Sequence, residues 1–129
     1  MHLFRFKKIV LWSAILIACA SQAQVGLEAA RDGASSGNAL IIDIRESSEH
    51  ATGVAKGMKL IPMSTLGQRL GEIPKDPSKP VLLICNTQNR SSAVVRELKS
   101  RGYTNVQYVN GGMSEWAKRG WAMQAPAKP

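Results

Sequence analysis

Short apolar runs recur along the chain, separated by segments with helical spacing of hydrophobic residues. The run ALIIDI is apolar with β-branched content, as in a strand buried on both faces of a sheet, VLLIC is the most apolar strand candidate, and NVQYV is a further one. MKLIPM is a shorter strand candidate that Pro62 ends. Strands that alternate with helices predict an α/β fold, with a small parallel sheet flanked by helices on both faces.

The helices between these strands are predicted from periodicity, caps and glycine stops. The segment after VLLIC should form a helix over residues 91–101 that buries Val94, Val95 and Leu98 and ends at Gly102. The other predicted helices lie in GLEAARDGASSGN, in ESSEHATG up to Gly53, in STLGQRLGEI with Ser64 as its cap, and in GGMSEWAKRG up to Gly120.

The first 23 residues have the pattern of an export signal. Arg5, Lys7 and Lys8 form a basic start, the apolar run IVLWSAILIA follows, and small residues close the segment. A permanent membrane anchor is the alternative, but the run is shorter than the roughly 20 apolar residues that cross a bilayer. The sequence therefore predicts a signal peptide over 1–23, one domain over 24–121 and a disordered Pro/Ala/Lys tail over 122–129.

Two processing patterns overlap at the end of this signal. Ser21 and Ala23 supply the small residues of a cleavage site that gives a soluble protein beginning at Gln24. The run LIAC instead resembles a bacterial lipobox, which implies a lipid on Cys19. We expect a periplasmic or secreted protein, which contacts a membrane only if it is anchored through Cys19.

Composition and charge limit the function classes. With 129 residues and 44% hydrophobic content, the chain can build one modest core. Cleavage after Ala23 leaves 14 basic and 9 acidic residues, a formal net charge of +5. Because the basic residues are dispersed and few aromatics accompany them, nucleic acid is not expected as a partner. A general attraction for small anions fits better.

The soluble form keeps a single cysteine, Cys85, and so has no internal disulfide. Cys85 ends the most apolar strand and precedes a polar loop that leads into a helix. The amides and dipole at that helix N-terminus favour the thiolate, which is the reactive form. The alternative is a small hydrophobe at the end of a core strand. The polar loop favours the reactive interpretation, because a structural cysteine does not need it.

The residues around Cys85 provide candidate roles in binding an anion. The loop backbone can surround the sulfur with amides, Ser91 can cap the helix or donate its hydroxyl, and Arg90 can bind an incoming anion with its planar fork. Asp43 and Arg45 end the preceding long strand at the same edge of the sheet, so they are further candidates, with a structural ion pair as the alternative. The candidate substrate-binding set is Asn86, Thr87, Gln88, Asn89, Arg90, Ser91, Asp43 and Arg45.

Other polar and aromatic residues are expected to be structural. Glu49 fits a solvated helix surface, and the Trp116 and Trp121 pair is expected to serve packing. His50, which fits the surface, has no partner at metal-ligand spacing, so no metal site is predicted.

The segment LLICNTQNRSSAVVRELKSRGYTNVQYVNGGMSEWAKRGW resembles the active-site half of a single-domain rhodanese. The first half resembles the family's D-R-x-x-x-E-x-x-x-G stretch through Asp43, Arg45, Glu49 and Gly53, and the resemblance covers residues 38–121. Two positions differ from the family pattern. Val54-Ala55 stands where His-Ile is usual, and Gln88 stands where glycine is frequent at the fourth loop position.

The resemblance implies a sulfurtransferase with Cys85 as its catalytic residue and no cofactor. The thiolate would take the outer sulfur of thiosulfate or a similar anionic donor, and the Cys85 persulfide would pass it to cyanide, a thiol or another protein. One alternative is a rhodanese-like sulfur carrier or binding module without turnover. Another is an oxyanion enzyme, but related phosphatases use a C-x5-R loop, whereas counting from Cys85 gives C-x4-R.

Overall fold

Five parallel strands form one sheet in the order β1-β5-β4-β2-β3. The structure is a computed structural model that describes residues 23–128, so residues 1–22 of the predicted signal peptide, which include Cys19, lie outside the described residues. The strands are β1 (Gln24–Val25), β2 (Leu40–Asp43), β3 (Lys59–Leu60), β4 (Val81–Ile84) and β5 (Val106–Val109). The helices are α1 (Leu27–Ser36), α2 (Ser47–His50), α3 (Met63–Leu66), a 3-10 helix (Gly67–Glu72), α4 (Asn89–Ser100) and α5 (Gly112–Lys118).

Helices cover both faces of the sheet, which confirms the predicted fold class. Alternate residues of each strand point to opposite faces, so the core has two halves. Ile42, Leu83 and Cys85 face the side covered by α3, the 3-10 helix and α4. Ile41 and Leu82 face the side covered by α1 and α5.

The carboxyl edge of the sheet is where the candidate residues of the sequence come together. β4 is the middle strand and pairs with β2 on one side and β5 on the other. The ladder continues past the strand ends, since Ile44 donates its N–H to the carbonyl of Ile84 at 2.9 Å. The loop that begins at Cys85 therefore emerges from the centre of this edge, where open α/β sheets bind ligands.

The predicted helix in STLGQRLGEI is broken. α3 is followed at Gly67 by a 3-10 helix, inside which Arg69 has non-helical angles. Gly67 and Gly71 weaken the helix because glycine has a high conformational entropy to lose. Ser64 lies inside α3 and is not its cap, since Pro62 holds that position and the Ser64 hydroxyl donates to Glu46.

Three other boundaries differ from the sequence prediction. α4 begins at Asn89, two residues earlier than expected, so Arg90 belongs to the first helical turn. β1 was not predicted, because two residues are too few to show a pattern. The tail predicted to be disordered is attached at its start, since Val54 and Gln124 pair through two 2.8 Å backbone hydrogen bonds.

Within residues 23–128, none of the helices has the length and apolar character needed to span a bilayer.

Candidate active site

Cys85 is the first residue after β4 and is almost fully buried, with 1% of its surface exposed. Its Sγ lies 3.4 Å from Ser91 Oγ, to which the thiol donates a hydrogen bond. The Ser91 hydroxyl donates in turn to the carbonyl of Gln88 at 3.2 Å. Ser91 is completely buried, so this short polar chain lies inside the loop. The cysteine thus packs in the core on one side and contacts a hydroxyl on the other.

The first turn of α5 holds the start of the loop by its carbonyl groups. Met113 donates its N–H to the carbonyl of Cys85 at 2.8 Å, and Ser114 donates to the carbonyl of Asn86 at 2.9 Å. Because C=O and N–H point in opposite directions across a trans peptide, the N–H groups of Asn86 and Thr87 point away from α5.

Gly112 makes this contact between α5 and the loop possible. A Cβ atom at this position would lie 2.2 Å from the carbonyl oxygen of Thr87 and 2.5 Å from that of Cys85. Its φ of +61° is also in the left-handed region that favours glycine. A side chain here would displace the loop, so the glycine sets how closely α5 approaches Cys85.

The N-terminus of α4 closes the loop on its other side. Ser92 donates to the carbonyl of Gln88 at 2.9 Å, so the N–H groups of Asn89, Arg90 and Ser91 precede the first intrahelical hydrogen bond. Such amides, with the helix dipole, favour negative charge nearby. The side chains of Asn86, Thr87 and Asn89 are exposed, and their contact with a donor stays a prediction.

Arg90 forms a bidentate ion pair with Glu49. Its two terminal nitrogens contact the two carboxylate oxygens at 2.6 and 2.8 Å, and about a third of each side chain is exposed. The hydrogen bonds from Arg90 lower the pKa of Glu49 to about 2, and the same bonds raise the pKa of Arg90. The prediction that Glu49 is a solvated surface residue is therefore wrong.

The backbone of α2 fixes Glu49 in this position. Glu49 and Glu46 form a reciprocal capping box at the start of the helix, in which Glu49 Oε1 accepts the N–H of Glu46 at 3.1 Å. The Glu46 carboxylate also accepts hydrogen bonds from the N–H and hydroxyl of Ser64. A carboxylate held in this way orients Arg90 at the rim of the loop.

Asp43 and Arg45 form a second ion pair, which is buried. Arg45 Nη2 lies 2.8 Å from Asp43 Oδ2 and also donates to the carbonyl of Gly53 at 2.8 Å. Their exposed fractions are 0% and 3%. The pair joins the end of β2 to the segment after α2, which favours the structural alternative. Substrate contact by these two side chains stays a prediction.

His50 is buried beside this pair, so its predicted place on the surface is wrong. Its Nε2 lies 3.4 Å from Asp43 Oδ1. Because neighbouring residues of an α-helix differ in direction by about 100°, His50 points inward while Glu49 contacts Arg90. Within residues 23–128, no group of His, Cys, Asp and Glu side chains has the arrangement of a metal site.

The tryptophan pair packs as predicted. Trp116 is buried in the core half covered by α1 and α5, and its ring meets that of Trp121 edge to face with centroids 4.9 Å apart.

Three features together suggest one family of sulfur-handling domains. They are a thiol at the end of the central strand, a six-residue segment that runs from this thiol to an arginine, and the close contact of a glycine in the last helix with that segment. The family profile described as Rhodanese-like domain matches residues 27–119. The chain belongs to the rhodanese-like family. The family resemblance found in the sequence is thereby confirmed, and so is the fold that it implies.

Relatives of this rhodanese-like domain include a named enzyme. A sulfurtransferase from Allochromatium vinosum is 34% identical over 87 residues, which cover 67% of this chain and 79% of that protein. The uncharacterized protein YqhL of Bacillus subtilis is 38% identical over 78 residues, 60% of each chain, so the match spans less than two thirds of YqhL. The crystal structure of a rhodanese-like domain protein from Staphylococcus aureus superposes with a TM-score of 0.69 at 26% identity, over 82% of this chain and 100% of that one.

The two departures from the family pattern have clear structural consequences. Gln88 has φ −146°, so the fourth loop position does not use the left-handed conformation here. Its Oε1 accepts the N–H of Gly111 at 3.4 Å and thus links the loop to the residue before α5. Val54 is buried, and its backbone pairs with Gln124, so the position that is usually histidine serves packing.

Proposed function

We propose that this rhodanese-like chain is a sulfurtransferase that carries sulfane sulfur as a persulfide on Cys85. It takes sulfur from thiosulfate or a similar small donor and gives it to a thiophilic acceptor. Cyanide is the acceptor in the laboratory, and a thiol or another protein is the acceptor in the cell. The protein acts after export, either as a soluble protein or anchored through Cys19.

The observation that carries this proposal is the orientation of the peptide groups around Cys85. The carbonyls of Cys85 and Asn86 are bound by α5, which leaves the following amides free to face the centre of the loop. The first amides of α4 add to them. A persulfide places its negative charge one bond beyond Sγ, and we propose that these amides stabilise the charge there. A hydrogen bond to a charged group contributes about 1.5–3 kcal/mol, so several amides favour the anion strongly.

The transfer has two balanced steps. The Cys85 thiolate attacks the outer sulfur of thiosulfate, a new S–S bond forms, and sulfite leaves with the electron pair of the old one. The acceptor then attacks the terminal sulfur of Cys85-S-S⁻ and releases the thiolate. In the first step the Ser91 hydroxyl turns from the Gln88 carbonyl to donate to the sulfur anion. Arg90 at the rim positions the donor.

The size of the loop favours transfer of sulfur over transfer of a phosphoryl group. The C-x4-R ring is one residue shorter than the C-x5-R ring of related phosphatases, and no histidine lies in the loop to assist phosphoryl transfer. A single sulfur atom fits a smaller ring than a phosphoryl group. Hydrolysis of an aryl phosphate by the purified domain would support the oxyanion enzyme instead.

A sulfur carrier without turnover is the second candidate, and the burial of Cys85 favours it. With 1% of its surface exposed, the residue gives an acceptor little direct access to a bound sulfur. A carrier gains one sulfur from the donor and keeps it in the presence of cyanide, whereas an enzyme returns to the unloaded mass. Intact-mass spectra before and after cyanide separate the two.

The test of the enzyme proposal is thiosulfate-dependent formation of thiocyanate. The native protein should form thiocyanate with multiple turnovers, and Cys85→Ser should form none while its circular dichroism spectrum stays native. Equal activity of the two proteins would remove the enzyme assignment.

A further inference from the structure

A cavity of about 610 Å³ lies between α1 and the end of α5. It is lined by the second half of α1, by the residues just before β3, and by one turn of α5 with the segment that follows it. These parts of the chain lie toward the amino edge of the parallel sheet, because each helix runs back from the carboxyl edge. The cavity is therefore separate from the Cys85 loop, and its volume is in the range of pockets that bind small molecules.

Two tryptophan rings provide the apolar wall of this cavity. Trp116 is buried, and Trp121 is half-buried and meets it edge to face. The indole N–H of Trp116 donates to the carbonyl of Ala122 at 3.2 Å, so the segment after α5 is fixed against the ring. The two rings together offer a firm apolar surface for a planar organic group.

The charged side chains that line the cavity are both positive. Arg31 and Lys56 are exposed, and the residues that line the cavity with them include no acidic one. Within residues 23–128, neither side chain forms an ion pair or a hydrogen bond. Arg119, a third cation nearby, is instead bound to Glu28 and Glu115. Two cationic groups therefore line the cavity without a carboxylate bound to either.

The guanidinium of Arg31 is held against the ring of Trp121. Its Cζ lies 4.1 Å from the ring centroid, within the distance of a cation–π contact. A stacked guanidinium keeps its N–H donors in its own plane, where they can bind the two oxygens of a carboxylate. Because the contact with the ring limits the movement of the side chain before a ligand arrives, less conformational entropy is lost on binding.

We propose that this cavity binds a small organic anion, with its carboxylate held by Arg31 and Lys56 and a planar apolar group packed against the tryptophan rings. The fork of Arg31 orients the carboxylate, and the ammonium group of Lys56 contributes a point charge. An inorganic anion would fill only a small part of the cavity and leave the apolar wall without a contact. Binding at this cavity does not depend on the chemistry of Cys85.

A titration followed by the NMR signals of the tryptophan indole N–H groups measures this binding directly. Trp116 and Trp121 both line the cavity, and the other tryptophan, Trp12, lies in the predicted signal peptide. The first probe is naphthylacetate. The others are naphthylethanol, which has the same ring without a charge, acetate, which has only the carboxylate, and a tetraglutamate peptide.

The proteins are native, Arg31→Gln and Lys56→Gln, with Arg96→Gln as the matched control. Arg96 is an exposed cation on α4, which covers the other face of the sheet. Its replacement changes the net charge of the protein as much as each test variant does, but it leaves the cavity unchanged.

Naphthylacetate should shift the signals of both indole groups to saturation, and naphthylethanol should bind at least about tenfold more weakly, as expected for loss of hydrogen bonds to a charged group. Acetate and the peptide should cause no saturable shift at the same concentrations. Arg31→Gln should weaken the binding of naphthylacetate about tenfold, and Lys56→Gln should weaken it less. Added salt should weaken this binding, and Arg96→Gln should bind like native protein.

Equal binding of naphthylacetate and naphthylethanol, with no change in Arg31→Gln, would overturn the proposal, because charge would then have no role in the cavity. Equal binding of acetate and naphthylacetate would overturn it as well, since the tryptophan wall would then contribute nothing. A shift with the peptide alone would assign the surface to a protein partner, and a shift with none of the probes would remove the site. Each of these results leaves the proposed sulfur transfer by Cys85 intact.

Discussion

The N–H of Met113 donates to the carbonyl oxygen of Cys85 across 2.8 Å, so the last helix of the domain binds the residue that ends the central strand. This contact and the neighbouring one from Ser114 turn the first carbonyls of the loop outward. The position of α5 therefore fixes the orientation of the first two peptide groups of the loop.

Gly112→Ala tests the role of α5. The added Cβ would lie 2.2 Å from the Thr87 carbonyl oxygen, at a φ of +61°. We expect the free energy of unfolding to fall by about 1–3 kcal/mol and sulfur loading to slow markedly as the loop moves. Urea denaturation and the mass-detected loading rate measure the two effects.

Gly67→Ala is the matched control, because nothing lies within 4 Å of its Cβ position, and it should be neutral or slightly stabilising. Normal loading by Gly112→Ala would contradict the account.

Ser91→Ala tests the hydroxyl beside the sulfur. Ser91 Oγ lies 3.4 Å from Cys85 Sγ, so its removal takes one hydrogen-bond donor from the anionic sulfur. The loading rate or the lifetime of the persulfide should fall about tenfold or more, as expected for a hydrogen bond to a charged group. Ser92→Ala is the control, since the Ser92 hydroxyl donates to the Asn89 carbonyl at the same helix start. Equal lifetimes of the persulfide in the two variants would argue against a role for Ser91.

Asp43→Asn distinguishes a structural ion pair from substrate binding. The change leaves Arg45 buried with its main partner neutralised, so the free energy of unfolding should fall by about 3–5 kcal/mol. The folded fraction should still load sulfur at the native rate. As a comparison, Arg119→Ala removes exposed ion pairs with Glu28 and Glu115 and a contact with the Trp121 ring, and it should destabilise the protein much less. A stable Asp43→Asn protein that loads slowly would instead indicate contact with the donor.

The Glu49–Arg90 pair predicts a pH dependence of stability. The pKa of Glu49 is lowered from 4.5 to about 2 by Arg90, so the folded state binds this proton less tightly than the unfolded chain. The stabilisation is complete above about pH 4.5 and is lost as the pH falls toward 2. The difference in unfolding free energy between native protein and Glu49→Gln should be constant near neutral pH and shrink in acid. A difference that titrates between about pH 6 and 8 would show that another group is responsible.

Four of the five described strands and the loop were predictable from the sequence because their signals are local. A buried parallel strand is apolar at every position, so VLLIC shows where β4 ends and where the thiol begins the loop. The glycines that end the helices are also local signals. The break of the helix at Gly67 was missed, because the spacing of Leu66 and Leu70 fits one helix although the intervening residues do not keep its geometry.

The contact between Glu49 and Arg90 was not predictable, because it depends on the folded arrangement. Glu49 and Arg90 are separated by 41 positions, and only the packing of α2 against the start of α4 brings them together. The burial of His50 likewise depends on how α2 packs, and no pattern in the surrounding sequence indicates it. The spacing of residues along the sequence indicates which chemistry they can perform, but it does not identify their contacts in the folded protein.

The most direct test of the central claim is the mass of the intact domain after brief exposure to a sulfane sulfur donor, followed by mapping of the modified peptide. Native protein should gain the mass of one sulfur atom, located on Cys85, and a thiol reductant should remove it. Cys85→Ser, folded and treated identically, should gain nothing. A native protein that gains no sulfur, or that carries it on any other residue, would contradict the account.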